Sequence, residues 1–317
     1  MNKKRMINNS KKVSVMMATY NRGYCIGRAI ESIMNQTYQN WELMVIDDKS
    51  TDNTEEVVKS YISRDERIKY LKLEKNQGCS GARNEGMKIC TGDYITFLDS
   101  DDEYDPTKIE KQVKVFLNTK IPNLGIVSCG AIDHRDGIEY NRRMPIKRED
   151  YYKSLLAKRK SIGVGSPFMM IPSSIIKGEN TYFDPQMPAA VDWDIAVRIC
   201  RKYTLDFVPE HLVLYHHHSG DRMYNPDSAV RSLKMQYTKY RDWLIAEPDA
   251  HLSFVKNAAS LIAFHKSIGE GKDFIEESLS NFKSASKRRK LKIFKLILDS
   301  FKLKYFKLFY LKYFNKT

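Results

Sequence analysis

Apolar, β-branched runs alternate with segments of helical spacing through the first 130 residues of the chain. Strand-like runs fall at 13–18, 42–46, 68–73, 94–98 and 125–129. Between them, apolar positions at i, i+3 and i+4 predict helices over 23–36, 54–62, 80–90 and 106–117. This alternation predicts an α/β fold, a mostly parallel Rossmann-like sheet flanked by helices, with ligands bound at the carboxyl ends of the strands. Beyond residue 130 the pattern is irregular. It holds a Gly163–Ser166 turn, an apolar 167–171 run, a helix near 191–202, and a strand-like 212–215 leading into His216, His217 and His218. Residues 226–283 read as two or three helices.

Three of the early strands end in polar clusters: Thr19-Tyr20-Asn21, Asp47-Asp48, and Asp99-Ser100-Asp101-Asp102. In a parallel sheet all three project from one edge and can converge on one ligand. Carboxylates crowded at a strand end repel one another unless a positive charge sits between them. Hard divalent cations take oxygen ligands, often one or two carboxylates plus substrate phosphates. Asp99-x-Asp101 is therefore a candidate platform for a metal–diphosphate. The competing role for Asp101, Asp102 or Asp105 is to cap the helix that Pro106 begins.

Composition narrows the picture. At 317 residues the chain is one large domain, or one domain with an appendage, and its 42% hydrophobic content is ample for a core. Five scattered cysteines form no Cys-x-x-Cys pair, which argues for reduced thiols and against a disulfide framework or structural zinc. Residues 1–12 lack the apolar stretch of a secretory signal, and no run of about 18 apolar residues exists to span a membrane. The net charge of +14 is concentrated at the ends: +5 in 1–12 and +10 in 284–317, leaving −1 for 13–283. The near-neutral body is not a nucleic-acid-binding surface.

Taken with Asp47-Asp48-Lys49-Ser50-Thr51-Asp52 and the stretch Asn76-Gln77-Gly78 to Ala82-Arg83-Asn84, these clusters resemble the family 2 glycosyltransferases. The match is good over 13–118 and looser to about 222. The resemblance implies a GT-A fold, inversion at the anomeric carbon, and a nucleotide-sugar donor. It places Ala18, Thr19 and Tyr20 around the nucleotide, with Tyr20 near the base or simply an aromatic on the rim. Asp47 would accept from a uracil imide, which favours a UDP-sugar, and Ser50 or Thr51 would cap the next helix. Arg83 would face the diphosphate or pair with a carboxylate. Gly78, Gly81 and Gly86 look like turn glycines. Asp99 and Ser100 join the nucleotide-sugar site, with Asp99 on the ribose or reaching the metal through water. Asp101 and His218 would hold Mn²⁺ or Mg²⁺. Asp192 matches the aspartate of the family's Glu-Asp motif, its general base; Val191 stands where the glutamate would be. Asp194 is the alternative base, and an N-cap is the competing role for Asp192. His216 occupies a position that is often basic or aromatic; a zinc site among the three histidines lacks an obvious partner set.

The implied organisation is a basic segment (1–12), a GT-A catalytic domain (13–222) with a nucleotide-sugar half (13–118) and an acceptor half (119–222), a helical extension (223–283) and a basic tail (284–317). In the tail, Phe294, Ile297, Leu298, Phe301, Tyr305 and Leu308 share one helical face among lysines. Such a helix suits an anionic membrane surface. Its competing roles are a helix packed on the catalytic domain, a homo-oligomer contact, or an RNA-binding tail. The expected location is cytoplasmic, peripheral at the inner face of the cytoplasmic membrane. Two functions follow. One is a metal-dependent transferase moving a sugar from a UDP-sugar to a hydroxyl of a glycan or lipid-linked acceptor. The other is a non-catalytic GT-A module that binds nucleotide-sugar or glycan.

Overall fold

In the computed structural model, the described residues are 11–158, 163–217 and 225–300. The first strands are β1 (Val13–Thr19), β2 (Trp41–Asp47), β3 (Ile68–Lys72) and β4 (Tyr94–Phe97). They pair in parallel in the order β3-β2-β1-β4. Strands β1, β2 and β4 are buried along nearly their whole length, as continuous apolar runs covered on both faces must be. Helices α1 (Ile26–Met34), α2 (Thr54–Ile62) and α3 (Gly78–Ile89) cover them. Helix α1 buries Ile26, Ala29, Ile30 and Ile33, a single helical face. Helix α3 approaches the sheet closely at Gly86, where a Cβ would sit 2.9 Å from both Met16 Sδ and Ile46 Cγ1. Gly86 is thus a packing glycine rather than the expected turn glycine. Gly78, at φ +73°, is the turn.

The strand order reverses between β1 and β4, since β1 connects towards β2 and the chain from β3 returns to β4 on the opposite side of β1. The carboxyl ends flanking such a switch point form the crevice in which open α/β sheets bind ligands. Past β4 the sheet is mixed. The remaining elements of this half are β5 (Glu103–Tyr104), α4 (Lys108–Asn118), β6 (Leu124–Arg135), β7 (Ile138–Arg143), β8 (Met170–Pro172), α6 (Ser173–Gly178), α7 (Val191–Cys200) and β9 (Thr204–His217). Strand β8 lies antiparallel between β4 and β6, and β6 runs parallel to β9. The parallel expectation therefore holds for β1–β4, and the second half joins through an antiparallel strand.

The chain divides into two compact units. One comprises Met1–Lys147, Ser161–Pro185 and Val191–Ser219; the other comprises Arg148–Lys160, Gln186–Ala190 and Gly220–Thr317. The second thus also gathers two segments that the sequence places in the acceptor half. Its helices are α5 (Tyr151–Leu156), α8 (Pro226–Lys239), α9 (Arg241–Ala246), α10 (Pro248–His265), α11 (Ile268–Leu279) and α12 (Ala285–Ser300). The pattern over 226–283 thus resolves into four helices, with only Tyr240 and Glu247 separating the first three. Among the described residues, no helix is long and apolar enough to cross a membrane.

At the centre of the second unit, His251 is buried, stacks on Phe282 at 3.9 Å and lies 3.0 Å from the Tyr237 hydroxyl. Burial pushes its pKa down to about 4. The folded state therefore binds fewer protons than the unfolded chain between pH 6.5 and 4, so stability falls as pH drops through that window. The slope is on the order of 1 kcal/mol per pH unit. His251→Gln should flatten the dependence of the urea midpoint on pH between 7 and 5. Equal dependence in both proteins would contradict this.

Helix α12 divides the apolar positions of the tail between two sides. Leu291 and Leu298 are buried and Phe294 is half-buried beneath Lys256, whose Nζ lies 5.4 Å from the ring centroid. Ile293, Leu296 and Ile297 face outward, Leu296 with 67% exposure. The apolar positions are therefore split between a packed side and an exposed strip. Phe301, Tyr305 and Leu308 lie outside the described residues.

Candidate active site

The three polar clusters meet at the switch-point edge because their loops are stitched together by hydrogen bonds. Leu98 N–H donates to Met16 O (3.0 Å) and Asp48 N–H to Thr19 O (2.8 Å), which brings the ends of β4, β1 and β2 side by side. Asn21, at φ +51°, donates its N–H to Ser50 Oγ (2.9 Å) and accepts at Oδ1 from Thr51 N–H (2.8 Å). Asp52, rather than Ser50 or Thr51, receives the first-turn amide of α2, from Thr54, and also the Gly23 N–H. Likewise Asp105 accepts from Thr107 N–H (2.9 Å) ahead of α4. Asp105 thus holds the turn that leads into α4.

Tyr20 stands on the rim with 48% exposure, while Thr19 is buried with an unpartnered Oγ1, and Ala18 is half-buried. Asp47 is wholly buried: Oδ1 accepts from Ser50 N–H (2.7 Å) and Oδ2 from the Tyr70 hydroxyl (2.5 Å). It shapes the loop from beneath and presents no surface to a base. Asp48 similarly accepts from Gln77 N–H (2.6 Å), tying the second loop to the start of α3.

The acidic loop after β4 is held from two sides. Arg28 on α1 donates to Asp101 O (2.7 Å) and pairs with Glu103 (3.2 Å). From β9, His216 N–H donates to Asp102 Oδ1 (2.8 Å), and its ring lies 2.7 Å from Glu103. Ser100 is buried, and its carbonyl faces Cys25 Sγ at 3.6 Å. Burial, then the charges of Asp99 and Asp101, push the Asp102 carboxyl well above the usual range, and its Oδ2 is buried without a partner. The loop thus gathers the carboxyl groups of Asp99, Asp101 and Asp102 as hard oxygen donors, a set that fits a divalent cation. Among the described residues no group of three ligands gathers. A cation bound here would complete its shell from diphosphate and water, as Mg²⁺ commonly does. His218 lies outside the described residues.

Arg83 answers the question left open by its position in the chain. Buried on α3, it donates through Nη2 to Asp99 and stands with Nη1 3.8 Å from Asp192 Oδ1. It therefore pairs with two carboxylates, one from the end of β4 and one from the first turn of α7. Ser166 Oγ donates to the same Asp192 Oδ1. Burial raises the Asp192 pKa, opposed by Arg83 and Ser166. Asp194, by contrast, is fully buried and held by Arg198 at 2.9 and 3.1 Å, while Arg198 also donates to Tyr182 O. Asp194 is a structural ion pair rather than a base. Arg28 and Ser166 were not singled out in sequence, where Arg28 reads as the solvated side of an amphipathic helix and Ser166 as a turn residue.

The α/β sheet with carboxylates on both sides of its switch-point crevice has the GT-A fold of glycosyltransferase structures. The family model for glycosyl transferase family 2 matches residues 14–177, and the chain belongs to that family. An uncharacterized glycosyltransferase of Methanocaldococcus jannaschii is 32% identical over 242 residues, 73% of this chain and 79% of that protein. The Escherichia coli UDP-Glc:alpha-D-GlcNAc-diphosphoundecaprenol beta-1,3-glucosyltransferase is 44% identical over 109 residues, 34% of this chain and 42% of that enzyme. Several relatives are matched over only 42–44% of their own length. Among solved structures, Staphylococcus aureus TarS 1–349 in complex with UDP-GlcNAc shares the fold. Its TM-score is 0.63 at 18% identity, covering 95% of this chain and 92% of that one.

Proposed function

We propose that the protein transfers a sugar, with inversion, from a UDP-sugar to a hydroxyl of a cell-envelope glycan or lipid-linked acceptor. The observation that carries this reading is Arg83 held between Asp99 and Asp192. One buried cation joins a carboxylate at the end of β4 to one in the first turn of α7, which supports a donor and a base acting on a common space. In the reaction the acceptor oxygen attacks the anomeric carbon from the face opposite UDP, and its proton passes to Asp192. The bond between that carbon and the β-phosphate oxygen breaks, and UDP departs. Asp101 and His218 would hold a divalent cation, Mn²⁺ or Mg²⁺, which when bound offsets charge on the departing diphosphate. Asp99 and Ser100 would contact the donor, Ala18 and Thr19 line the nucleotide, and Tyr20 would stack on the base. The UDP choice is supported by the E. coli relative's name and by UDP-GlcNAc bound to TarS. Turnover separates this reading from a non-catalytic module. UDP release from a UDP-sugar panel with Mn²⁺ should be seen and should cease with EDTA; binding without release under every condition would favour the module.

The same reading puts the enzyme at the inner face of the membrane, where a lipid-linked acceptor resides. Supporting it are the exposed Ile293-Leu296-Ile297 strip beside exposed Arg288, Arg289, Lys290 and Lys292, and the +10 charge of 284–317. Each basic residue near an anionic surface is worth about 1 kcal/mol, fading beyond a Debye length. Deleting the tail would remove the buried Leu291 and Leu298, so charge reversal is the cleaner test. Glu at 288, 289 and 290 together should release the protein from anionic vesicles in co-sedimentation. Equal binding to neutral and anionic vesicles, or equal binding by the variant, would contradict a membrane role.

A further inference from the structure

We propose that Ser166 is a positioning residue for Asp192. It fixes Oδ1 so that Oδ2 is the oxygen that takes the acceptor's proton. The inference rests on the proposed role of Asp192 and deepens it. Two groups meet the same oxygen: Ser166 Oγ donates to Oδ1, and Arg83 Nη1 stands 3.8 Å from it. Oδ1 is thus engaged by two groups, while the Asp192 side chain as a whole retains 30% exposure.

Ser166 can do this because its turn is anchored. It opens a 3₁₀ turn, Ser166–Phe168, and is itself buried. Before it, Gly163 adopts φ +75°, where a Cβ would lie 2.5 Å from Pro145 Cγ and 2.8 Å from Ser128 Oγ. No other residue fits that backbone without strain. The Ser128 hydroxyl, on β6, donates to Gly163 O. After it, Phe168 O accepts from Gln112 Nε2 at 2.7 Å, and the same amide group donates to Val127 O at 2.9 Å. The turn is thus pinned to β6 and α4 on both sides of Ser166, and the hydroxyl it presents to Asp192 is preorganised. A base held in one orientation loses less entropy on reaching the reactive geometry.

The groups facing Asp192 are Arg83 and Cys79 from α3, Asp99 from the β4 loop, and Ser166 through both its hydroxyl and its backbone N–H, of which the substitutions below remove only the hydroxyl. A hydrogen bond to a carboxylate favours its charged form, so losing it moves the acid limb of the rate profile to higher pH. Ser166→Ala should lower kcat on the order of tenfold, leave the donor KM unchanged, and shift the acid limb upward by about one pH unit. Ser166→Thr, which keeps the hydroxyl, should restore both values. Ser166→Cys, nearly isosteric but a weak donor, should repeat the shift should the alanine variant fold poorly. A merely structural serine would lower thermal stability without moving the acid limb, and that outcome overturns the proposal. Asp192→Asn is run in parallel. If it keeps near-normal transfer, the base assignment itself fails. If it is inactive while Ser166→Ala and Ser166→Cys keep the wild-type profile, only the positioning role fails.

Discussion

Asp192→Asn is expected to lower sugar transfer by about two to four orders of magnitude while leaving UDP binding unchanged, the usual worth of a general base. The asparagine keeps the size of the side chain and can still accept from Ser166, so the first turn of α7 is retained. What it loses is the capacity to take a proton. The acid limb of the wild-type profile follows from the same site. Burial raises the Asp192 pKa despite Arg83 and Ser166, so activity should fall, as pH is lowered, at a higher pH than an ordinary aspartate would give. Asp194→Asn provides the contrast: it breaks the buried pair with Arg198 and should cost stability rather than chemistry. Comparable loss of transfer by Asp194→Asn in a fully folded protein, with Asp192→Asn active, would move the base.

Asp101→Asn should abolish most of the Mn²⁺-dependent gain in UDP affinity, on the order of 100-fold, since groups that merely support a metal ligand are already worth roughly 10–100-fold. The fold should survive. Arg28 grips Asp101 through the backbone carbonyl, and the N-terminal turn of α4 depends on Asp105, so neither contact needs the Asp101 carboxylate. Removing one of three neighbouring acids also relieves repulsion on Asp102 when no metal is bound. Calorimetry with UDP, with and without Mn²⁺, checks this. Unchanged metal-dependent affinity would remove Asp101 from the metal site.

The nucleotide half was the most legible part of the chain because its strands are buried on both faces and its helices show one clean apolar stripe. Helix α2 spans the residues its spacing predicted, and the ends of β1, β2 and β4 carry the polar clusters that the strand pattern singles out. Strand β6 was harder. Its apolar run ends near Cys129, yet the strand continues to Arg135 because β7 and β9 pair with it beyond that point. Asp99 and Asp192 each drew notice, but nothing local says that one arginine would meet both; that pairing is a tertiary event. Between Asp192 and Asp194, however, a signal was present. Asp194 and Arg198 are spaced i, i+4 on a helix, the spacing of an ion pair. Asp47 shows the reverse case, where a motif position that looks like a ligand is consumed by its own loop.

The most direct test of the central claim is UDP release measured across UDP-, GDP- and CDP-sugars, with Mn²⁺ and then with EDTA, for wild type and Asp192→Asn. Release is expected from at least one UDP-sugar, lost with EDTA and greatly slowed when an acceptor-dependent rate is compared in the variant. Release that is indifferent to EDTA, or confined to GDP- or CDP-sugars, would contradict it.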